Sequence, residues 1–131
     1  MNSQKLSKAV LHAMYAEIVH KAEIAGAEAF NSCKPTPMGV YSSDLLGNRL
    51  SETEWVDDGV CGFAWVHIKG NTSFGRWAKK QGIASKDYYC GLNIRVSSPS
   101  QSYERKMAYA QAYAKVLREG EIEAYADGRL D

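Results

Sequence analysis

The segment Val60 to Ile68, VCGFAWVHI, constrains this chain more than any other. Its β-branched and aromatic residues, bounded by Asp57-Asp58-Gly59 on one side and Gly70-Asn71 on the other, read as a strand. Side chains alternate faces along a strand. Gly62, Ala64, Val66 and Ile68 therefore fall on one side, and Cys61, Phe63, Trp65 and His67 on the other. The segment Tyr88 to Val96, YYCGLNIRV, divides in the same way. Tyr88, Cys90, Leu92, Ile94 and Val96 share one face, and Tyr89, Gly91, Asn93 and Arg95 share the other. An aliphatic sheet face needs a layer of helices over it.

The sequence supplies those helices. Ser3 to Phe30 reads as a long N-terminal helix, with Leu11, Met14, Ile18, Ala22, Ala25 and Ala29 on one stripe. Gly26 marks a weak point in it, and the residues up to Pro35 end it. Asn71-Thr72-Ser73 can cap a short helix running to Gln81. Ser102 caps a helix from Tyr103 to Glu119 that Gly120 terminates; Met107, Ala110, Ala114 and Leu117 form its apolar stripe. Two further strands are predicted, Thr36 to Tyr41 and Glu121 to Ala126. Between them, residues 42–58 hold Leu45, Leu46, Leu50, Trp55 and Val56 among polar residues and turn signals, as in a hairpin arm or a long loop.

Helices and strands thus mix without regular βαβ alternation. That order predicts an α+β fold: a largely antiparallel sheet of about four strands, two main helices packed on one face, and an irregular arm at 42–58. At 131 residues, with no internal repeat or linker, the chain reads as a single domain over 1–131, with the N-terminal helix within 1–31.

Charge excludes some functions. Sixteen Lys and Arg stand against 15 Asp and Glu, a formal net charge of +1, which fits neither a basic nucleic-acid coat nor an acidic mimic of DNA. Cys33, Cys61 and Cys90 form no CxxC pair, and His12, His20 and His67 are scattered, so neither a zinc site nor a disulfide framework is expected. Buried or half-buried thiols in a reducing compartment are the expectation. Met1 to Lys8 carries no apolar signal core, and no apolar run reaches the ~18 residues of a membrane span, so a cytoplasmic protein without membrane contact is expected.

The candidate recognition surface is the non-aliphatic sheet face: Phe63, Trp65, His67, Tyr89, Asn93 and Arg95. Rings beside a guanidinium and an amide on an open sheet are what base stacking uses. Gly91 would let a flat ring approach the backbone. The competing reading is that a further layer, a subunit or the arm buries these rings. A second candidate is Arg76, Lys79 and Lys80 on the short helix, which could grip phosphates or form a solvated face; the case for nucleic acid is weak. Glu52, Glu54, Asp57 and Asp58 could act as bases but lack ligand spacing, and Asp58-Gly59 fits a turn. There is no P-loop or dinucleotide fingerprint. No catalytic residue, metal site or cofactor is expected.

At Pro35-Thr36-Pro37-Met38, Val60 to Val66, Ser102-Tyr103-Glu104-Arg105-Lys106 with the alanine–tyrosine helix after it, and Ala124-Tyr125-Ala126, the chain resembles a family of small uncharacterised bacteriophage proteins. The similarity runs from about Pro35 to Asp131. It implies a phage origin and brings no activity or site residue. The combined expectation is a non-catalytic binding protein in the host cytoplasm, modulating a host or defence component or taking a nucleotide-like ligand. Its partner would be a host or phage protein or that ligand, with homo-oligomerisation competing for the same surface. The alternatives are a virion-associated capsid or tail component and a small hydrolase or transferase.

Overall fold

A computed structural model describes residues 7–49, 51–87, 90–98 and 100–131. The elements follow in the order α1 (Lys8–Ser32), β1 (Met38–Val40), β2 (Glu54–Val56), β3 (Gly62–Ile68), α2 (Ser73–Lys80), β4 (Ser85–Lys86), β5 (Leu92–Arg95), α3 (Tyr103–Glu119) and β6 (Ala124–Leu130). The fold is α+β. β1 and β2 form a two-stranded antiparallel sheet, and the other four strands form a sheet in the order β4-β5-β3-β6. β3 is central and antiparallel to both β5 and β6. No helix is long and apolar enough to cross a membrane among the described residues.

The alternation read in β3 governs the whole sheet. Ala64, Val66 and Ile68 are buried, as are Leu92 and Ile94 of β5 and Ala124 of β6. They share one core with Ala110, Tyr113, Ala114 and Leu117 of α3, Val19 and Ala22 of α1, and Phe74 and Trp77 of α2. Ser102 caps α3 through its hydroxyl, which accepts from the Arg105 N–H, and Gly120 ends it. Thr72 caps α2 by accepting from the Gly75 N–H, so the caps expected for α2 and α3 stand. For α1, Ser7 accepts from the Val10 N–H as its cap, whereas Ser3 lies outside the described residues.

The inward stripe of α1 keeps five predicted positions, with Ala22 buried and Leu11, Ile18, Ala25 and Ala29 half-buried, and is widened on one side. Val19, Ala22 and Gly26 are buried and Tyr15 packs on the core, while Met14 is exposed. The reason is close packing on α3. A Cβ added at Gly26 would lie 2.8 Å from the Tyr109 ring, so the glycine is a contact point and not a weak one. Tyr15 completes the layer by meeting Phe74 edge-on, with centroids 5.2 Å apart.

Residues 42–58 belong to a hairpin arm. Met38 pairs with Val56 and Val40 with Glu54, and an isolated bridge joins Ser43 to Arg49. Asp44 closes the tip by accepting from the backbone N–H and side-chain amide of Asn48 and from the Leu46 N–H, which holds its carboxyl below its ordinary value. The arm meets the body at its base, where the Thr36 N–H donates to Glu104 (2.7 Å) and Asp58 pairs with Arg105 (3.5 Å).

Strand limits differ from expectation at several places, and β1 and β3 are each shorter than predicted. β5 begins at Leu92, because Gly91 adopts φ +77°, a left-handed conformation that breaks the extended run. β6 starts later, at Ala124, and runs past Ala126 through Asp127-Gly128 to Leu130. The two-residue β4 was not predicted.

Candidate functional site

The sheet face opposite the helices carries the rings, and the arm does not cover it. Residues paired across antiparallel strands share a face, so the register writes this surface as three rows. Ser85, Asn93, His67 and Tyr125 form the first; Arg95, Trp65 and Asp127 the second; Phe63 and Arg129 the third. Phe63 is 41% exposed and Tyr125 54%, while Trp65, His67 and Asn93 are half-buried and Arg95 is exposed. The indole of Trp65 is thus not sealed beneath the helices. Tyr89 lies outside the described residues.

His67 is held on this face by two polar partners. Its Nδ1 lies 3.1 Å from Asn93 Oδ1 and 3.4 Å from Asp87 Oδ2. A carboxylate only accepts, so these oxygens hold the ring with a proton on Nδ1. One flank of the ring meets Tyr125, and the other fills the space beside Gly91, where a Cβ would lie 2.6 Å from Nε2. The gap expected to admit a ligand ring at Gly91 is therefore occupied by the protein's own imidazole.

Beyond that imidazole the face opens into a groove of about 580 Å³. His67, Tyr125, Gly91, Cys90, Asn71 and Lys69 are among its lining residues. Lys69 pairs with Glu123 at 2.8 Å on the rim, which raises the lysine's affinity for its proton. The groove thus offers two adjacent rings, an amide and a compensated charge pair. The Arg95 row lies two residues along β3 from the His67 row, a distance of about 7 Å. A guanidinium at that separation can reach an anionic group of a ligand whose ring sits at His67 and Tyr125.

The third row adds a second cation. The Arg129 guanidinium carbon lies 5.5 Å from the Phe63 ring centroid, within cation–π range. From behind, the buried Lys106 Nζ donates to the Gly62 carbonyl (3.1 Å) and lies 5.4 Å from the same ring.

The other candidates are dispersed. Arg76, Lys79 and Lys80 lie exposed on α2, whose Phe74 and Trp77 are buried as anchors. Arg76 donates to the Asn71 carbonyl. Asp58 engages Arg105 beside α3, while His67 engages Asp87 and Asn93 on the sheet, so these acids and the imidazole do not converge. Among the described residues no group of three or more His, Cys, Asp or Glu side chains is placed to hold a metal. The expectation of buried or half-buried thiols holds for Cys33, which is half-buried, and is corrected for Cys61 and Cys90, which are exposed. Cys90 escapes the core because it precedes the left-handed Gly91, outside β5.

The strand predicted to Ala126 sets Tyr125 on the side opposite Ala124 and Ala126 without singling it out, and Asp127 and Arg129 lie beyond its predicted end. Their period-two spacing was present, but the run was ended at Ala126. Comparison with protein-family models, with curated proteins and with solved structures found no match to this chain.

Proposed function

We propose that this chain is a non-catalytic binding protein whose open sheet face receives a planar, anionic, nucleotide-like ligand. The observation that carries the reading is the one-sided burial of the sheet. Aliphatic residues of β3 and β5 are sealed under the helices, while Trp65, His67 and Tyr125 line the opposite surface beside a groove. Rings and guanidinium groups on a sheet supply stacking and phosphate contacts together. The base would lie against His67 and Tyr125, with Asn93 and Asn71 offering amide contacts and Arg95 meeting the phosphate. The setting suggested by the resemblance to phage proteins is an infected cell, where sequestering such a ligand would modulate a host or defence component.

Calorimetric titration of the full chain with nucleoside monophosphates and diphosphates tests this. Saturable binding is expected, with the nucleotide recovered unchanged and inorganic phosphate binding far more weakly. Absence of heat with every nucleotide, or equal affinity for free phosphate, contradicts it.

The arm favours a second reading, a structural component of a particle. Leu45 and Leu46 at its tip are 105% and 88% exposed, and Trp55 is 67% exposed on β2. Such a protein would copurify with particles at fixed stoichiometry.

A further inference from the structure

We propose that two copies of this chain join through the free edge of β6, merging their sheets into one eight-stranded sheet with a shared open face. The proposal is independent of what that face binds.

β6 is the last strand of the sheet, paired only with β3 among the described residues. Its register fixes which backbone groups point outward. The Asp131 N–H donates to the Cys61 carbonyl, which marks that cross-strand position as hydrogen-bonded. Hydrogen-bonded and non-hydrogen-bonded positions alternate along an antiparallel pair. Residues Tyr125, Asp127 and Arg129 therefore bond to β3, and Ala124, Ala126, Gly128 and Leu130 direct their N–H and C=O groups to the free edge. Two side-chain bonds agree. Arg118 donates to the outward Ala124 carbonyl (3.0 Å), and the outward Gly128 N–H is held by the Asp127 carboxylate (2.8 Å). Arg118 occupies the start of the edge, which leaves Ala126 to Leu130 as its open part.

A second copy pairing antiparallel about Gly128 uses that stretch. Gly128 then opposes itself, and Ala126 opposes Leu130 of the other copy, each at a position where both strands present outward groups. On the helix side this covers Leu130, which is 59% exposed. On the open face Asp127 of each copy stands opposite Arg129 of the other, at the non-hydrogen-bonded positions where side chains approach closest. Neither side chain has an ion-pair partner within its own chain among the described residues. Shifting the pairing to centre on Asp127 or on Arg129 sets like charges against each other, so charge selects the Gly128 register. On pairing, Asp127 exchanges its bond to the Gly128 N–H for the partner's guanidinium, and the Gly128 N–H turns to the partner's carbonyl. An edge strand otherwise tends to recruit arbitrary strands, and this charge pattern reserves it for a second copy.

Sedimentation equilibrium and native mass spectrometry of the full chain test the proposal. The wild type is expected to show a monomer–dimer equilibrium. D127R and R129D each place like charges in both cross-strand pairs and should weaken self-association by about tenfold or more. Mixing D127R with R129D should give a heterodimer at wild-type strength, and the double variant D127R/R129D should regain homodimerisation. Both substituted side chains are exposed, and the recovered complexes report on folding directly. A wild type that stays monomeric up to millimolar concentration overturns the proposal. So does a dimer indifferent to the single reversals, or a mixture that does not associate.

Discussion

The imidazole of His67 and the phenol of Tyr125 lie side by side on adjacent strands, with centroids 5.0 Å apart and planes tilted by 34°. The register of β3 and β6 places them opposite each other, and Asn93 and Asp87 fix the imidazole from its other side. Two rings held in this way form a wall that does not need to reorganise when a ligand arrives, which lowers the entropic cost of binding. Their position at the mouth of the groove makes them the centre of the proposed recognition surface.

Truncation at Trp65 separates recognition from stability. The indole is half-buried on the open face, between Arg95 and Asp127 in the register. Trp65→Ala should cost less stability than the ~3–5 kcal/mol of a core ring. A ligand that runs from His67 and Tyr125 to Arg95 passes beside the indole, so the variant should also weaken nucleotide binding by about 1–3 kcal/mol, the scale of one lost aromatic contact. Urea unfolding and calorimetry on the same variant give both quantities. Loss of the full core-ring stability would assign the indole to the core.

The sheet face was legible because β3 alternates without interruption, and Ser102 with Gly120 bounds α3 unambiguously. What escaped has local causes. The last strand continues past Ala126 because at the sheet edge the Asp127 carboxylate accepts from the Gly128 N–H and the pairing with β3 runs on to Leu130. The start of β5 hinged on the backbone of Gly91, whose positive φ no periodicity reveals. That the stripe of α1 also takes in Gly26 depends on the Tyr109 ring, a property of the partner helix. Nothing in the helix pattern marks Lys106 as buried, and only the tertiary fold shows its Nζ at the Gly62 carbonyl.

Lys106 ties α3 to the start of β3. Only 6% exposed, it gives the Gly62 carbonyl its side-chain donor. Lys106→Met keeps much of the apolar stem and removes the donor. The variant should lose about 1–3 kcal/mol of stability, the cost of a buried acceptor left unpaired. Chemical denaturation measures the loss, and an unchanged midpoint would show the bond to be inconsequential.

Tyr113 presents the opposite case. It is buried, and its hydroxyl has no hydrogen-bond partner among the described residues. Tyr113→Phe should therefore be neutral or mildly stabilising at neutral pH. Burial, with a smaller contribution from Glu23, pushes the phenol pKa well above its ordinary value of 10.0. A raised folded-state pKa gives stability that is complete below the unfolded value and is lost as pH rises from there towards the folded one. The wild type should accordingly lose stability above about pH 10. The phenylalanine variant should lose less, retaining the smaller dependence that comes from Tyr109, whose pKa burial also raises. Thermal melts across the alkaline range compare the two.

The most direct test of the recognition surface is a nuclear magnetic resonance titration of the isotope-labelled chain with a nucleoside monophosphate. The predicted shifts centre on His67, Gly91, Asn93, Arg95 and Tyr125 and saturate together with one dissociation constant. Spectra that do not change, or shifts centred on Arg76, Lys79 and Lys80 or on the arm, would contradict the assignment of the open sheet face.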